Sequence, residues 1–152
     1  MSEAGLRTDF WNEFSHSIAQ RPDWPLGSFK HQHGSKAYIE FEARLGAGFR
    51  PRAVFLTQDN ELRAEILTTG NAQGLDLLDR LIAVGSRLET LHCGIAEVSV
   101  APNRSDGKVQ IVWRDAMTRN RRLWPVHQDW IAETLLDLRD TMVAQIMRDT
   151  LS

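Results

Sequence analysis

The sequence predicts one α+β domain with a mainly antiparallel sheet, and three observations carry that expectation. Apolar residues recur at helical spacing in the first, middle and last parts of the chain. Period-two segments come in pairs joined by turn-rich stretches, so strands follow strands and are not alternated with helices. Hairpins of this kind form an antiparallel sheet and leave the helices to pack on one face. The third observation is size. The chain has 152 residues, and a chain of that length buries about 70% of the surface its extended form exposes, enough for one core. No internal repeat, low-complexity tract or linker divides residues 1–152.

The first helix is expected from Leu6 to about Gln20, where Leu6, Phe10, Phe14 and Ile18 recur every fourth residue and Trp11 widens the stripe. Arg21-Pro22 ends it. From Asp23 to Lys36, turn residues and aromatics occur without a period, notably in Trp24-Pro25-Leu26-Gly27-Ser28, which reads as an ordered loop lying on the core. Ala37 to Ala43 alternates Ile39, Phe41 and Ala43 with Tyr38, Glu40 and Glu42, the pattern of a half-buried strand. Ala53 to Thr57 and Glu61 to Leu67 flank Gln58-Asp59-Asn60 and form a hairpin, with Leu62, Ala64 and Ile66 facing in.

A second helix is expected over about Gly74 to His92, with Leu75, Leu78, Leu81, Ile82, Leu88 and Leu91 on one side and Gly94 to stop it. Ala96 to Val100 and Val109 to Trp113 make a second hairpin around Pro102 to Gly107, where Asp106-Gly107 suits a tight turn. The last helix runs from near His127 to Arg148, its core face made by Ile131, Leu135, Leu138, Met142 and Ile146. The expected order is α-β-β-β-α-β-β-α, with about five strands. Trp130, Val143 and Met147 lie off the main stripe of the closing helix, which predicts a homodimer pairing that helix with its copy.

A formal net charge of −2 with 25% charged residues excludes a polyanion mimic and a wholesale nucleic-acid coat, so any nucleic-acid contact must be local. Arginines far outnumber the three lysines, Lys30, Lys36 and Lys108. The guanidinium fork suits carboxylate and phosphate, although a GC-rich coding sequence yields the same excess. Cys93 is the sole cysteine, which excludes an intramolecular disulfide and a cysteine-rich zinc site. The N-terminus lacks the pattern of a secretory leader, and no segment approaches the roughly 18 to 20 apolar residues of a membrane span. A cytoplasmic location without membrane contact is expected.

Catalytic motifs are few. Glu40, Glu42, Glu61 and Glu65 fall on outward faces of neighbouring strands and could converge on a hard cation, as in a divergent metal-dependent nuclease. The lysine such a site wants is missing: Glu61-Leu62-Arg63 carries arginine in its place, and arginine stays protonated. A cross-strand salt ladder with Arg44 and Arg63 accounts for the same pattern. His31-Gln32-His33 could hold zinc only if two further ligands arrived. Cys93 ends a helix, where the carbonyl-rich terminus raises a thiol pKa, and no Gly-x-Ser-x-Gly elbow is present. Gly46-Ala47-Gly48-Phe49 precedes a strand and so is a turn rather than a phosphate loop; with Arg44, Arg50 and Arg52 it makes a small basic surface.

The residues singled out for ligand contact are Arg114, Arg119, Arg121 and Arg122 with Trp124. Guanidinium forks beside an indole face suit a phosphate backbone or an acidic protein segment. Alternatively, Trp124 packs inside as a hydrophobic staple and the arginines are solvated. A structural role covering another protein, as in an immunity or antitoxin-like protein, would need an exposed apolar patch, and Trp24, Leu26, Phe29 and Phe49 fall in loops that could supply one.

The opening Leu6-Arg7-Thr8-Asp9-Phe10-Trp11-Asn12-Glu13-Phe14 resembles the Leu-Arg-x-x-Phe-Trp-x-x-Phe start of a bacterial domain-of-unknown-function family. Its members occur alone or C-terminal to restriction-endonuclease-like nuclease domains. Arg63-Ala64-Glu65-Ile66-Leu67 and the closing helix from Trp124 to Thr141 extend the resemblance, while His31 to Arg52 matches poorly. The resemblance implies an accessory, non-catalytic module linked to DNA-directed defence, and it supplies neither an active site nor a cofactor.

Overall fold

Ser2 opens the first helix: its hydroxyl accepts from the Gly5 amide at 3.1 Å, capping α1 (Glu3–Ala19), which therefore starts three residues before its apolar stripe. The computed structural model describes residues 2–30, 33–42, 49–68, 95–100 and 107–151. Within these, α1 is followed by β1 (Tyr38–Glu40), β2 (Phe49–Leu56), β3 (Glu61–Thr68), β4 (Ile95–Val100) and β5 (Gly107–Trp113). A 3-10 turn (Arg121–Leu123) then leads into α2 (Trp124–Leu151). The fold is α+β. Its strands form one antiparallel sheet in the order β1-β2-β3-β5-β4. The helix expected over Gly74 to His92 lies outside the described residues, as do Cys93 and the turn before Gly107.

Strand register sorts the two faces. Ile39, Ala53, Ala64 and Ile111 share one cross-strand row, flanked by the row Phe55, Leu62, Trp113 and the row Pro51, Ile66, Val109. Both helices cover this face. Phe10 of α1 stacks on Phe55 with ring centroids 3.9 Å apart, and Trp124 meets the edges of both rings at 5.4 and 6.0 Å. Leu6, Trp11, Phe14 and Ile18 complete the buried stripe of α1, and Ile131, Leu135 and Leu138 that of α2. Burying aromatics of this size contributes about 1.5 to 3 kcal/mol each, which is why the core forms where they meet.

Two local features fit β2 and β1 into place. Phe55 donates its amide to Ala37 on the β1 side, and by strand alternation Pro51 turns its nitrogen the same way. Pro51 lies past Glu40↔Arg52, the last β1–β2 pair, so its missing N–H breaks no ladder bond. On the far edge of β1, Lys30 donates to the Glu40 carbonyl and Glu42 to that of Ser28, with Phe29 bridging Phe41. The loop from Asp23 onward thus lies on the core as expected: Leu26 is fully buried, and Trp24 and Phe29 pack against the cluster.

Two expectations are corrected here. The closing helix begins at Trp124, not near His127, because Asn120 caps the preceding turn by accepting from the Arg122 amide at 3.2 Å. Trp24, Leu26 and Phe29 do not form an exposed apolar patch, since they belong to or pack on the core, and Phe49 falls in β2. Trp130 packs on Trp113 at 5.6 Å within its own chain. The side chains of Val143 and Met147, the other basis for pairing α2 with a copy, lie outside those described.

Candidate anion-binding cleft

Three of the arginines singled out in the sequence pair with carboxylates of their own chain while their side chains stay about half exposed. Arg119 pairs with Glu3, and Arg121 donates to Asp9 at 2.6 Å, both acids belonging to α1. Arg114 lies 3.5 Å from Glu61, which also holds Arg63 at 2.8 Å. At the other end of α1 the pairing reverses, with Arg21 holding Asp129 and Glu133 of α2 at 3.1 and 2.8 Å. These pairs clasp the two helices side by side. Arg122 is exposed and its guanidinium has no partner among the described residues.

Trp124 is not a surface residue. It is fully buried, and its indole N–H donates to the Thr118 carbonyl at 2.8 Å while the Arg121 guanidinium lies 4.7 Å from the ring centre. A buried indole needs such an acceptor, and the segment Trp113 to Asn120 is shaped to supply it. Asp115 and Met117 adopt left-handed backbone (φ 56° each), the Ala116 amide donates to Asn60, and Thr118 donates to the Leu56 carbonyl. His127 belongs to the same structure. It is buried against Trp113 with Nε2 2.6 Å from the Ala116 carbonyl, and burial lowers its pKa more than that bond raises it. The neutral ring donates from Nε2.

The four glutamates do not converge. Glu40, Arg52, Glu65 and Gln110 form one row on the face opposite the core, with a guanidinium between the carboxylates. Glu65 is buried and held by Arg52 at 2.8 Å and Lys108 at 3.5 Å. Glu61 stands four residues from Glu65 on one strand, about 13 Å away at strand rise, too far to share a cation. Glu42 is exposed beyond the end of β1. Among the described residues no group of three or more His, Cys, Asp or Glu is placed to hold a metal ion.

Positive charge is left unneutralised elsewhere. A cleft of about 260 Å³ beside β1 is lined by Lys30, His33, Lys36, Tyr38, Ile39, Glu40 and Arg50. Two of the chain's three lysines stand here, and neither has an ion-pair partner among the described residues. Glu40 is the one carboxylate on the wall among the described residues and reaches Arg50 only at 3.6 Å. The Arg50 Nε is buried without a hydrogen-bond partner, an uncommon state for a buried donor.

Helix α1 positions one wall of this cleft. Trp11 donates its indole N–H to the Lys36 carbonyl at 2.7 Å, Arg7 Nε donates to the Ser35 carbonyl at 2.6 Å, and Thr8 donates to that of Gly34 at 3.1 Å. The pinned segment is a tight turn in which the Lys36 amide donates to the His33 carbonyl. Gly34 has a φ of +49°, a conformation that glycine takes without penalty at the first central position of such a turn. Tyr38 and Arg50 come from β1 and β2 on the sheet face opposite the core. Sequence reasoning placed Arg50 in a small basic surface with Arg44 and Arg52, and His33 in a pair with His31, but missed the cleft. The available signal was the pair of lysines either side of an aperiodic turn in a chain otherwise committed to arginine.

No family model and no curated protein matches this chain. Among solved structures it is similar to YbjN, a putative transcription regulator from E. coli, with 12% identity over 85% of this chain and 88% of that one and a TM-score of 0.44. No helix among the described residues is long and apolar enough to cross a membrane.

Proposed function

We propose that this protein is a non-catalytic binding module that captures an anionic group in the cleft formed by Lys30, His33, Lys36 and Arg50. The observation that carries this reading is the charge imbalance: among the described residues, three permanent cations face one carboxylate. A phosphate or carboxylate oxygen would be held by charge-assisted bonds from these cations. The arginine segment from Arg114 to Arg122 serves the fold in this reading, with Arg122 alone left for outside contact. The resemblance of the α1 sequence to nuclease-associated domains supports an accessory role in a DNA-directed system, with nucleic acid or an acidic protein segment as the anion.

Titration with short-chain inorganic polyphosphate tests the reading, because it offers charge and no other recognition element. Binding is expected to weaken as salt rises and to be lost in Lys30→Ala/Lys36→Ala. Polyphosphate binding that persists unchanged in that double variant would place the anion elsewhere on the protein.

A further inference from the structure

We infer that the anion is the backbone of single-stranded nucleic acid, with a base stacked on Tyr38 and phosphate held by Lys30, Lys36 and Arg50. The inference rests on the anion-binding reading and adds a ligand class to it. Tyr38 is the only tyrosine of the chain and, at 41% exposure, the one exposed aromatic among the described residues. Every other aromatic ring described is buried or packed against the core. Among the described residues the other rings lie inside, and this one stands open on the wall of a cationic cleft.

The ring is also braced. The Arg52 guanidinium lies 4.6 Å from its centroid and is itself held by the buried Glu65 carboxylate at 2.8 Å. A platform fixed from behind loses little freedom when a base settles on its open surface. Tyr38 lies on a strand, on the sheet face opposite the core, with cations around it. Flat rings on a strand combined with a basic groove are what single strands require, since their bases are free to stack while their phosphates are neutralised. A duplex offers phosphate but keeps its bases paired. An inorganic ion would leave most of the 260 Å³ unfilled, and an acidic peptide would have no planar group for the ring.

Fluorescence anisotropy with a labelled oligothymidylate of about ten nucleotides, a length within the usual span of such sites, tests this directly. A length-matched abasic oligonucleotide and a polyglutamate peptide serve as comparison probes. The oligothymidylate is expected to bind at least about tenfold tighter than either, Tyr38→Ala to remove about tenfold from its affinity alone, and Tyr38→Phe to keep it within about twofold. Because Tyr38 is exposed, both variants should fold, which circular dichroism checks. Equal binding of all three probes, with Tyr38→Ala unchanged, would overturn the stacking inference and leave the anion-binding reading standing. Failure of every probe, polyphosphate included, would overturn both.

Discussion

The cleft beside β1 and the segment from Arg114 to Trp124 both concentrate basic and aromatic residues, yet they spend them in opposite ways. In the segment, Arg119 and Arg121 meet acids of α1, Arg114 meets Glu61, and the indole is inside the core. In the cleft, Lys30 and Lys36 meet no acid among the described residues and the ring of Tyr38 is open. Basic residues report a ligand surface only where the fold brings no carboxylates to them, and that depends on tertiary placement. Glu3 and Asp9 are more than a hundred residues from the arginines they neutralise.

The comparison breaks most visibly at the two aromatic residues. Trp124→Ala is expected to cost about 3 to 5 kcal/mol in urea unfolding, the usual loss for a large buried ring, whereas Tyr38→Ala should cost well under about 1 kcal/mol. Comparable costs for the two would mean that Trp124 is not the core residue described here. A smaller effect sharpens the account of the cleft. Gly34→Ala should destabilise by about 1 to 2 kcal/mol from backbone strain alone, since no atom lies within 4 Å of where its Cβ would stand. The same change should weaken polyphosphate binding by disturbing the turn that carries His33 and Lys36.

His127 gives the structural region a pH signature. Burial keeps its folded-state pKa below the ordinary value, so the unfolded chain takes up a proton that the folded chain refuses as pH falls through about 6.5. Its contribution to stability is therefore complete above about pH 6.5 and declines on acidification. Unfolding midpoints followed from about pH 7.5 to 5.5 should fall less steeply in His127→Gln; an identical slope would contradict the assignment. The smallest effects belong to the exposed ion pairs. Arg119→Ala and Arg121→Ala should each cost only about 0 to 1 kcal/mol, and neither should change polyphosphate affinity by more than about twofold.

Much of the fold was legible in the sequence because it rests on periodicity. The stripe from Leu6 to Ile18, the alternation of Leu62, Ala64 and Ile66, and the core face of Ile131, Leu135 and Leu138 are local patterns, and burial in the structure follows them. Helix starts were less legible. Ser2 and Asn120 cap through single hydrogen bonds that leave no apolar signal. The site was the least legible part, because the neutralising partners of Arg119, Arg121 and Glu65 are set by strand register and helix packing. Trp124 beside four arginines and Tyr38 between Ala37 and Ile39 look alike as strings, and only the packing of Phe10 and Phe55 onto the first separates them.

Charge reversal in the two regions, measured side by side, tests the central claim most directly. Lys30→Glu/Lys36→Glu and Arg121→Glu/Arg122→Glu remove the same formal charge from exposed side chains, so non-specific electrostatics changes equally in both. Polyphosphate titrated against each at low salt should lose binding in the lysine pair by about tenfold or more and stay within about twofold in the arginine pair. Loss confined to the arginine pair would contradict the account and return the ligand surface to the segment before α2.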